Sequence, residues 1–299
     1  YVENGPVPVV VKASGLALGK GVIVAHTIDE AVDALHKILV VKIFGNSGNE
    51  VVIEEYLKGV EISIHAISDG TNWKIFPPAQ DHKRIHNGNV GPNTGGMGTI
   101  SPLPFVDDAL MSRIEREIIE PTIKGMREEG RPFVGCLYPG IMLTIEGPKV
   151  FEFNSRLGDP ETQTYTRLLD SDFLDMVDAS IDGKISDINI SWKKNMYACN
   201  LVLASGGYPG EYLKGKVISG IKDLELFPNI VVFYSGVTKK DGTYFTNGGR
   251  VLGVSAIGNS LKEALYTAYS AVPEVAFEGM QYRKDIGKSA LEIILAQKK

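Results

Sequence analysis

The chain has 299 residues, of which 43% are hydrophobic and 22% charged, as is usual for a globular protein long enough for two or three domains. Its net charge of −5 argues against nucleic acid or an anionic membrane as a main partner. Two distant cysteines, Cys136 and Cys199, and the lack of an apolar run of ~18–20 residues favour a cytoplasmic protein with free thiols and no membrane span.

Residues 1–62 are predicted to form a small α/β unit that acts as a flap over a larger sheet. Strands are predicted at PVVVKA, VIVA, NEVVIEEYL and VEISIHAIS, with a glycine-rich loop, SGLALGKG, between the first two. Thr27 and Glu30 have the spacing of a capping box, which predicts a helix over TIDEAVDALHKIL. Because the chain has no initiator Met and enters a strand almost at once, we expect an N-terminal part to precede it.

Residues 63–190 are predicted to form the larger unit, and residues 191–299 a separate α+β domain. Apolar residues at helical spacing cover residues 108–130, where Pro121 should kink the helix or restart it. A hairpin is predicted for GIMLTIEGPKVFEFN, and a helix with Ser171 as its N-cap for SDFLDMVDASIDG. In the last part, a helix starting at Ser260 accompanies the predicted strands MYACNLVLA, IVVFYSGV and GRVLGVSAIG.

The end of the predicted strand VFEFN is rich in oxygen ligands. Strand side chains alternate between faces, so Glu152 and Asn154 should point one way, and Phe151 and Phe153 the other way, into the core. Arg156 follows directly, and such a set has the makings of a site for a hard cation and phosphate. The alternative is an edge strand with a polar outer face and a charged turn.

Two lysines flank the first glycine-rich loop. Lys12 ends a predicted strand, and Lys20 lies between Gly19 and Gly21. Cations and closely approaching backbone N–H groups are what phosphate binding requires, and glycine permits that approach. The spacing fits neither a Walker A loop nor GxGxxG, so an ordinary glycine turn with solvated lysines is the alternative.

The segment VVIEEYLKGVE joins the two predicted units and contains both acidic and apolar residues. We expect ATP to bind where the units meet, with Glu54 and Leu57 at the adenine edge and Glu61 near the ribose, and Glu55 is also expected to bind ATP. The alternative for this segment is an acidic edge strand.

A second glycine-rich segment, AQDHKRIHNGNVGPNTGGMG, begins with Asp81 and Lys83 after a predicted strand. A loop so rich in glycine is costly to order, so it should be a ligand loop or a disordered one. His82 and His86 are four residues apart, but in a loop this spacing does not bring them together, which argues against a zinc site.

Together these pieces resemble the ATP-grasp superfamily and, within it, the phosphoribosylamine–glycine ligase family. The resemblance extends from Pro6 to Gly287, and the motifs that carry it are VVVKASGLALGKGVIVA, VVIEEYL, QDHKR, GPNTGGMG, PKVFEFNSRLGDPETQ, GGYPG, TNGGRVL and YRKDIG. It implies an α/β (α+β) ATP-grasp fold of two lobes followed by a small C-terminal α+β domain. The N-terminal Rossmann-like domain with which this family begins is absent from this sequence.

The resemblance implies that ATP phosphorylates glycine to glycyl phosphate, which 5-phosphoribosylamine then attacks, giving glycinamide ribonucleotide, ADP and phosphate. The implied cofactors are ATP and Mg²⁺ or Mn²⁺, with Glu152 and Asn154 as metal ligands. Arg156 and Lys83 are the implied catalytic residues, and Lys12 and Lys20 would bind phosphates. The implied substrate-binding residues are Asp81, Asn93, Thr94, Gly95, Gly96, Met97, Gly98, Asp159, Asn247 and Arg250.

Asp159 has a specific expected role: it would hold the ammonium group of glycine, while Arg156, three residues earlier, would meet the carboxylate. The alternative is a surface pair of Arg156 and Asp159 that stabilises the turn. The alternatives are another ATP-grasp ligase with a different acid substrate, or a non-catalytic nucleotide-binding fragment. The chain could act alone or with other purine-synthesis domains in one polypeptide.

Overall fold

A computed structural model describes residues 1–17, 21–224 and 226–297, and the chain divides into two units, Tyr1–Gly59 and Val60–Lys299. The mixed helix and strand architecture confirms the predicted α/β (α+β) class. The predicted division into residues 1–62, 63–190 and 191–299 stays a prediction. In the part of the chain described, no helix has both the length and the apolar character needed to cross a bilayer.

The first unit is an antiparallel sheet of three strands covered by one helix. The sheet order is β2-β1-β3, with β1 at Val9–Ala13, β2 at Val22–Ala25 and β3 at Val51–Glu55. Helix α1, Ile28–Leu35, continues through a π-helical segment, His36–Val40. Its predicted cap is confirmed, because the Thr27 side chain accepts a hydrogen bond from the Glu30 N–H at 3.2 Å.

The second unit contains two larger antiparallel sheets. One has the order β12-β11-β5-β6, with β4 also paired to β11, and the other has the order β15-β18-β13-β10-β7. The strands are β4 Val60–Ser63, β5 Ala66–Asp69, β6 Trp73–Ile75, β7 Gln80–Asp81, β8 Arg84–His86, β9 Val90–Asn93, β10 Gly98–Ser101, β11 Val134–Thr144, β12 Gly147–Asn154, β13 Tyr197–Ala204, β14 Val217–Ile218, β15 Ile230–Tyr234, β16 Val237–Lys240, β17 Thr243–Thr246 and β18 Arg250–Gly258. The helices are α2 Asp108–Ile114, α3 Glu120–Glu128, α4 Glu161–Leu168, α5 Phe173–Ile181, α6 Ile221–Leu224, α7 Leu261–Ala271 and α8 Lys288–Gln297.

One hydrophobic core joins both sheets of the second unit. Ile62, Ile141, Ile100 and Leu201 belong to a single buried cluster, and the first two come from β4 and β11 while the others come from β10 and β13. The prediction that VEISIHAIS forms a single strand is wrong. It forms β4 and β5, which pair with β11, because its apolar side chains are buried in this core.

Local signals in the sequence located most elements of the second unit. The predicted hairpin is confirmed as β11 and β12. The long helix is interrupted before Pro121 by a π-helical segment, Glu115–Ile119, which lies between α2 and α3, and Pro121 is the second residue of α3. The predicted cap of α5 is wrong by one residue: Asp172 accepts from the Leu174 N–H, while the Ser171 hydroxyl faces Ser191.

Candidate functional site

In the first unit, Lys12 lies on the sheet face opposite helix α1. It is paired directly with Val22 on one side and Val52 on the other, and these valines are 43% and 44% exposed. Val24 extends the apolar face one step along the sheet, and the Lys12 Nζ lies 2.6 Å from Glu54 Oε2. An exposed apolar sheet face with an ammonium group at its centre fits a flat aromatic ring that carries an anionic group.

The other residues predicted to bind ATP are placed as follows. Gly19 and Lys20 lie outside the described residues. Gly21 closes the loop, since its carbonyl accepts from the Ala13 N–H at 2.8 Å and an added Cβ would lie 2.7 Å from Ala17 Cβ. Glu55 is the last residue of β3, and Leu57, two residues later, is half-buried.

In the second unit, Lys83 is surrounded by carboxylates from three strands. Its Nζ lies 2.8 Å from Glu61 Oε1 of β4 and 3.7 Å from Glu152 Oε1 of β12. Burial lowers the pKa of Lys83, but Glu61, Asp81 and Glu152 outweigh burial and raise that pKa above its ordinary value. Lys83 is therefore a permanent cation beside the predicted metal ligands. Glu61 is engaged here with Lys83, a contact that the predicted ribose role did not include.

The end of β12 brings the predicted metal ligands together on one face. Asn154 Nδ2 donates to Glu152 Oε1 at 3.2 Å, and Arg156 Nη2 donates to Asn154 Oδ1 at 3.4 Å. Phe153, in contrast, is 55% exposed, so the prediction that it enters the core is wrong. Strand β12 is at the edge of its sheet, where the hydrophobic core does not cover the end of the strand that carries Phe153.

This donor set fits Mg²⁺ or Mn²⁺. A carboxylate oxygen and an amide oxygen are hard ligands, and Mg²⁺ is usually held by one or two carboxylates together with substrate phosphates and water. Over residues 1–17, 21–224 and 226–297, no group of three or more His, Cys, Asp or Glu is arranged to hold a metal. The pair of Glu152 and Asn154 would thus need phosphate oxygens or water to complete the coordination of such an ion. His82 is engaged elsewhere, with its ring nitrogens bonded to the backbone at Gly98 and Gly287.

The predicted substrate loop, residues 93–98, is tied to Lys83 and Asp81. Asn93 ends β9, and Thr94 Oγ1 donates to the Lys83 carbonyl at 2.7 Å and accepts from the Gly96 N–H at 2.9 Å. Gly96 has φ +118°, and an added Cβ would meet Asp81 Oδ1 at 2.6 Å, so glycine is required there.

Met97 and Gly98 are both buried. Met97 is fully buried with Ile85 and Val202, and Gly98 begins the buried strand β10. The apolar side chain of Met97 anchors the loop in the core, and the substrate-binding role expected for Met97 and Gly98 stays a prediction.

Asp159 is paired with Arg250, so the alternative in which it forms a surface pair with Arg156 is wrong, while its contact with the glycine ammonium stays a prediction. Arg250 Nη2 lies 2.8 Å from Asp159 Oδ2, and Arg250 Nη1 donates to the carbonyls of Asp159 and Gly95 at 2.6 and 2.8 Å. The other Asp159 oxygen accepts from Gln163 Nε2 at 2.9 Å. Arg250 therefore clamps the substrate loop to the turn that follows β12. Asn247, also predicted to bind substrate, is exposed just after β17.

Asp159→Asn and Arg250→Met are expected to act alike, since both break the same clamp. Each should lower kcat/KM about tenfold by loosening the loop at Gly95, because small displacements of positioning groups are costly to turnover. Steady-state kinetics with varied glycine concentration checks this. A large rise in the glycine KM confined to Asp159→Asn would instead support the predicted contact with the glycine ammonium.

Asp81→Asn is expected to stabilise the protein at neutral pH. Burial and then Glu161 raise the pKa of the Asp81 carboxyl well above its ordinary value of 3.8, although Lys83 opposes the shift. A raised folded-state pKa gives stability that is full at low pH and is lost as the pH rises through that pKa. Asparagine does not ionise, so the Tm gain should be largest near pH 8 and shrink toward pH ~4. Thermal unfolding at both pH values checks this, and an equal difference at both would contradict it.

Sequence reasoning missed a buried polar network behind the end of β12. Glu161 is 2% exposed, and its Oε1 accepts from Tyr138 OH at 2.5 Å and from Ser63 Oγ at 2.8 Å. Burial, and then the charge of Glu161, raise the pKa of Tyr138, so its hydroxyl stays a hydrogen-bond donor. The signal in the sequence was a glutamate at the start of a helix, but nothing local indicated which distant hydroxyls it would meet.

Comparison with known proteins gives consistent matches over most of the chain. Residues 1–162 match the family model described as phosphoribosylglycinamide synthetase, ATP-grasp (A) domain, and residues 198–289 match the C domain of the same synthetase. The phosphoribosylamine–glycine ligase of Vibrio parahaemolyticus is 46% identical over 292 residues, which are 97% of this chain and 68% of the relative. The trifunctional purine biosynthetic protein adenosine-3 of Bos taurus is 48% identical over 95% of this chain and 28% of its own length.

Solved structures agree with these matches. The crystal structure of phosphoribosylamine–glycine ligase from Thermotoga maritima superposes with a TM-score of 0.86 at 36% identity, covering 95% of this chain and 70% of that one. The chain thus spans about two thirds of the length of the bacterial ligases that it matches.

Proposed function

Because the chain belongs to the phosphoribosylamine–glycine ligase family, we propose that it contributes the ATP-grasp and C-terminal parts of an enzyme that ligates glycine to 5-phosphoribosylamine. The products are glycinamide ribonucleotide, ADP and phosphate. The observation that carries this proposal is the end of β12, where Glu152, Asn154 and Arg156 are in hydrogen-bond contact beside the cation Lys83. Such a set neutralises and positions phosphate charge, which is the main requirement of phosphoryl transfer.

The first step joins a glycine carboxylate oxygen to the γ-phosphorus of ATP, and the bond from that phosphorus to ADP breaks. Lys12, on its apolar sheet face, would bind phosphate of the nucleotide while the valines contact the adenine ring. Glu152 and Asn154 would hold Mg²⁺ or Mn²⁺, which supplies charge neutralisation at the phosphates when bound. Arg156 retains N–H groups beyond those donated to Leu157 and Asn154, and these would stabilise charge on the transferred group.

In the second step the amine of 5-phosphoribosylamine attacks the carbonyl carbon of glycyl phosphate, phosphate leaves, and the amine nitrogen loses a proton. The clamped loop at Thr94–Gly96 lies beside Asp81 and Lys83 and would form part of the amine substrate's site. Asp81 is a candidate to receive the proton when its carboxyl is ionised, because its Oδ1 lies directly beside Gly96 of this loop.

Trapping of the acyl phosphate tests the proposal directly. The purified protein is incubated with ATP, Mg²⁺ and glycine, and hydroxylamine replaces the amine substrate. Glycyl hydroxamate and ADP should form together, and 5-phosphoribosylamine should give glycinamide ribonucleotide. Glu152→Gln serves as the matched inactive control. Equal ADP formation with bicarbonate or another amino acid would favour a different ATP-grasp ligase, and no acid-dependent ADP formation would favour a non-catalytic nucleotide-binding protein.

Two finer expectations remain proposals. The bovine relative is named as a trifunctional purine biosynthetic protein, which supports the expectation that this ligase can occur with other purine-synthesis domains in one polypeptide. The cytoplasmic location expected from the sequence stays a prediction.

A further inference from the structure

His65 is a fully buried histidine in the short link between β4 and β5, and the reaction proposed above does not use it. Its Nδ1 lies 2.9 Å from the Tyr165 hydroxyl, and its Nε2 accepts from the Gly158 N–H at 3.0 Å. The Tyr138 ring stacks on the imidazole with 4.0 Å between ring centroids. The imidazole is thus held on both edges and one face.

The hydrogen bonds define the tautomer of this imidazole. A backbone N–H can only donate, so Nε2 must be the unprotonated nitrogen, and Nδ1 carries the hydrogen that is donated to Tyr165. Burial, and then the charge of Arg156, lower the pKa of His65 to about 3. The ring therefore stays neutral and Nε2 stays an acceptor at neutral pH.

Gly158 is the point at which this histidine meets the proposed site. It lies two residues after Arg156, and its carbonyl accepts from the Thr162 N–H at 3.1 Å in the first turn of α4. The Gly158 backbone packs closely against the Glu161 carboxylate, since an added Cβ at Gly158 would lie 2.5 Å from Glu161 Oε2. The turn of residues 156–160 is thus fixed at Gly158 from the interior, while Arg250 holds it at Asp159.

We propose that His65 is a positioning residue for the proposed ligase, acting through the Gly158 N–H to fix the turn that places the Arg156 guanidinium at the end of β12. This inference rests on the proposed function. The group that accepts the hydrogen bond from the Gly158 N–H must be buried and uncharged, and a neutral imidazole meets both requirements. A histidine that only filled space would act through its volume, whereas the proposed role depends on one acceptor atom.

Three substitutions separate these roles. His65→Gln can offer an amide oxygen where Nε2 lies, His65→Leu keeps a similar volume without an acceptor, and Tyr165→Phe removes the partner of the other ring nitrogen. We expect His65→Leu to lower kcat about tenfold or more with little change in the ATP KM, because displacing a positioning element by ~1 Å can cost far more than its contact energy. His65→Gln should recover most of that loss, and Tyr165→Phe should stay within about threefold of the wild type.

A double-mutant comparison tests whether the effect passes through Arg156. In an Arg156→Met background, His65→Leu should change kcat less than about twofold, since the group it positions is gone. Equal kcat losses for His65→Leu and His65→Gln, or independent losses in the double mutant, would overturn the proposal.

Hydrogen exchange keeps the test separate from the proposed function. In the protein without ligands, His65→Leu should speed exchange of the Gly158 amide at least tenfold relative to Tyr165→Phe, and His65→Gln should restore protection. Unchanged protection in His65→Leu would overturn the inference even if the enzyme is active. A wild-type protein without glycine-dependent turnover would refute the proposed function, while the exchange measurement would still decide whether His65 holds the turn.

Discussion

Replacing Glu152 with glutamine is expected to lower kcat about 100-fold or more, which corresponds to ~2.7 kcal/mol of lost transition-state stabilisation. Glutamine keeps the size and one oxygen of the side chain but removes the charge that a divalent cation prefers. The Mg²⁺ concentration for half-maximal rate should rise in parallel. Both are measured from ADP formation with glycine at varied Mg²⁺ concentration.

Glu146→Gln is the matched control, because Glu146 lies at the opposite end of the same hairpin and pairs with Lys149 at 2.6 Å. Its side chain is 69% exposed, so its removal should leave both kcat and the Mg²⁺ requirement unchanged. Unfolding of both variants near the wild-type Tm would show that the hairpin is intact. A Glu152→Gln enzyme with wild-type kcat and an unchanged Mg²⁺ requirement would contradict the metal assignment.

Replacing Lys83 with methionine is expected to lower both activity and stability. The carboxylates of Glu61, Glu152 and Asp81 would then lose their shared cation and repel one another. The stability loss should be smaller than the ~3–5 kcal/mol typical of a fully buried broken pair, because the Lys83 side chain is 29% exposed. We expect kcat to fall about 100-fold, since the predicted phosphate site loses a cation.

The stability loss caused by Lys83→Met should also depend on pH. Lys83 holds down the pKa of the Asp81 carboxyl, which burial raises, so without the cation that pKa rises further and Lys83→Met should be least impaired in stability at low pH, where Asp81 is protonated. Chemical denaturation at about pH 5 and pH 8 measures this, with Lys83→Arg as the charge-conserving control. A stability loss that is independent of pH, or full activity in Lys83→Met, would contradict the role assigned to this cation.

Motifs in contiguous sequence predicted much of the site. Glu152 and Asn154 share a face because the alternation of a strand is a local property, and Thr27 caps α1 because a cap spans only three residues. The glycine at position 96 could also be interpreted locally, as a loop that must adopt a backbone conformation other residues avoid.

The partners of charged and polar side chains were decided by the tertiary structure. Asp159 and Arg156 are three residues apart, yet Asp159 pairs with Arg250, which is 91 residues away. Gly158 is bonded to His65, 93 residues away, and Glu161 to Ser63, 98 residues away. Sequence spacing predicts which residues share a face of one element, but it does not predict which elements meet.

The same distinction explains Met97 and the strand β4. The sequence by itself determined that VEISIHAIS alternates apolar residues and that Met97 lies in a glycine-rich segment after Lys83. Only the tertiary structure decided that Met97 is enclosed by Ile85 and Val202, and that β4 pairs with β11. The physical reason is that burial and strand pairing are set by surfaces brought together from distant parts of the chain, whereas alternation, capping and turn conformation are set by neighbours along it.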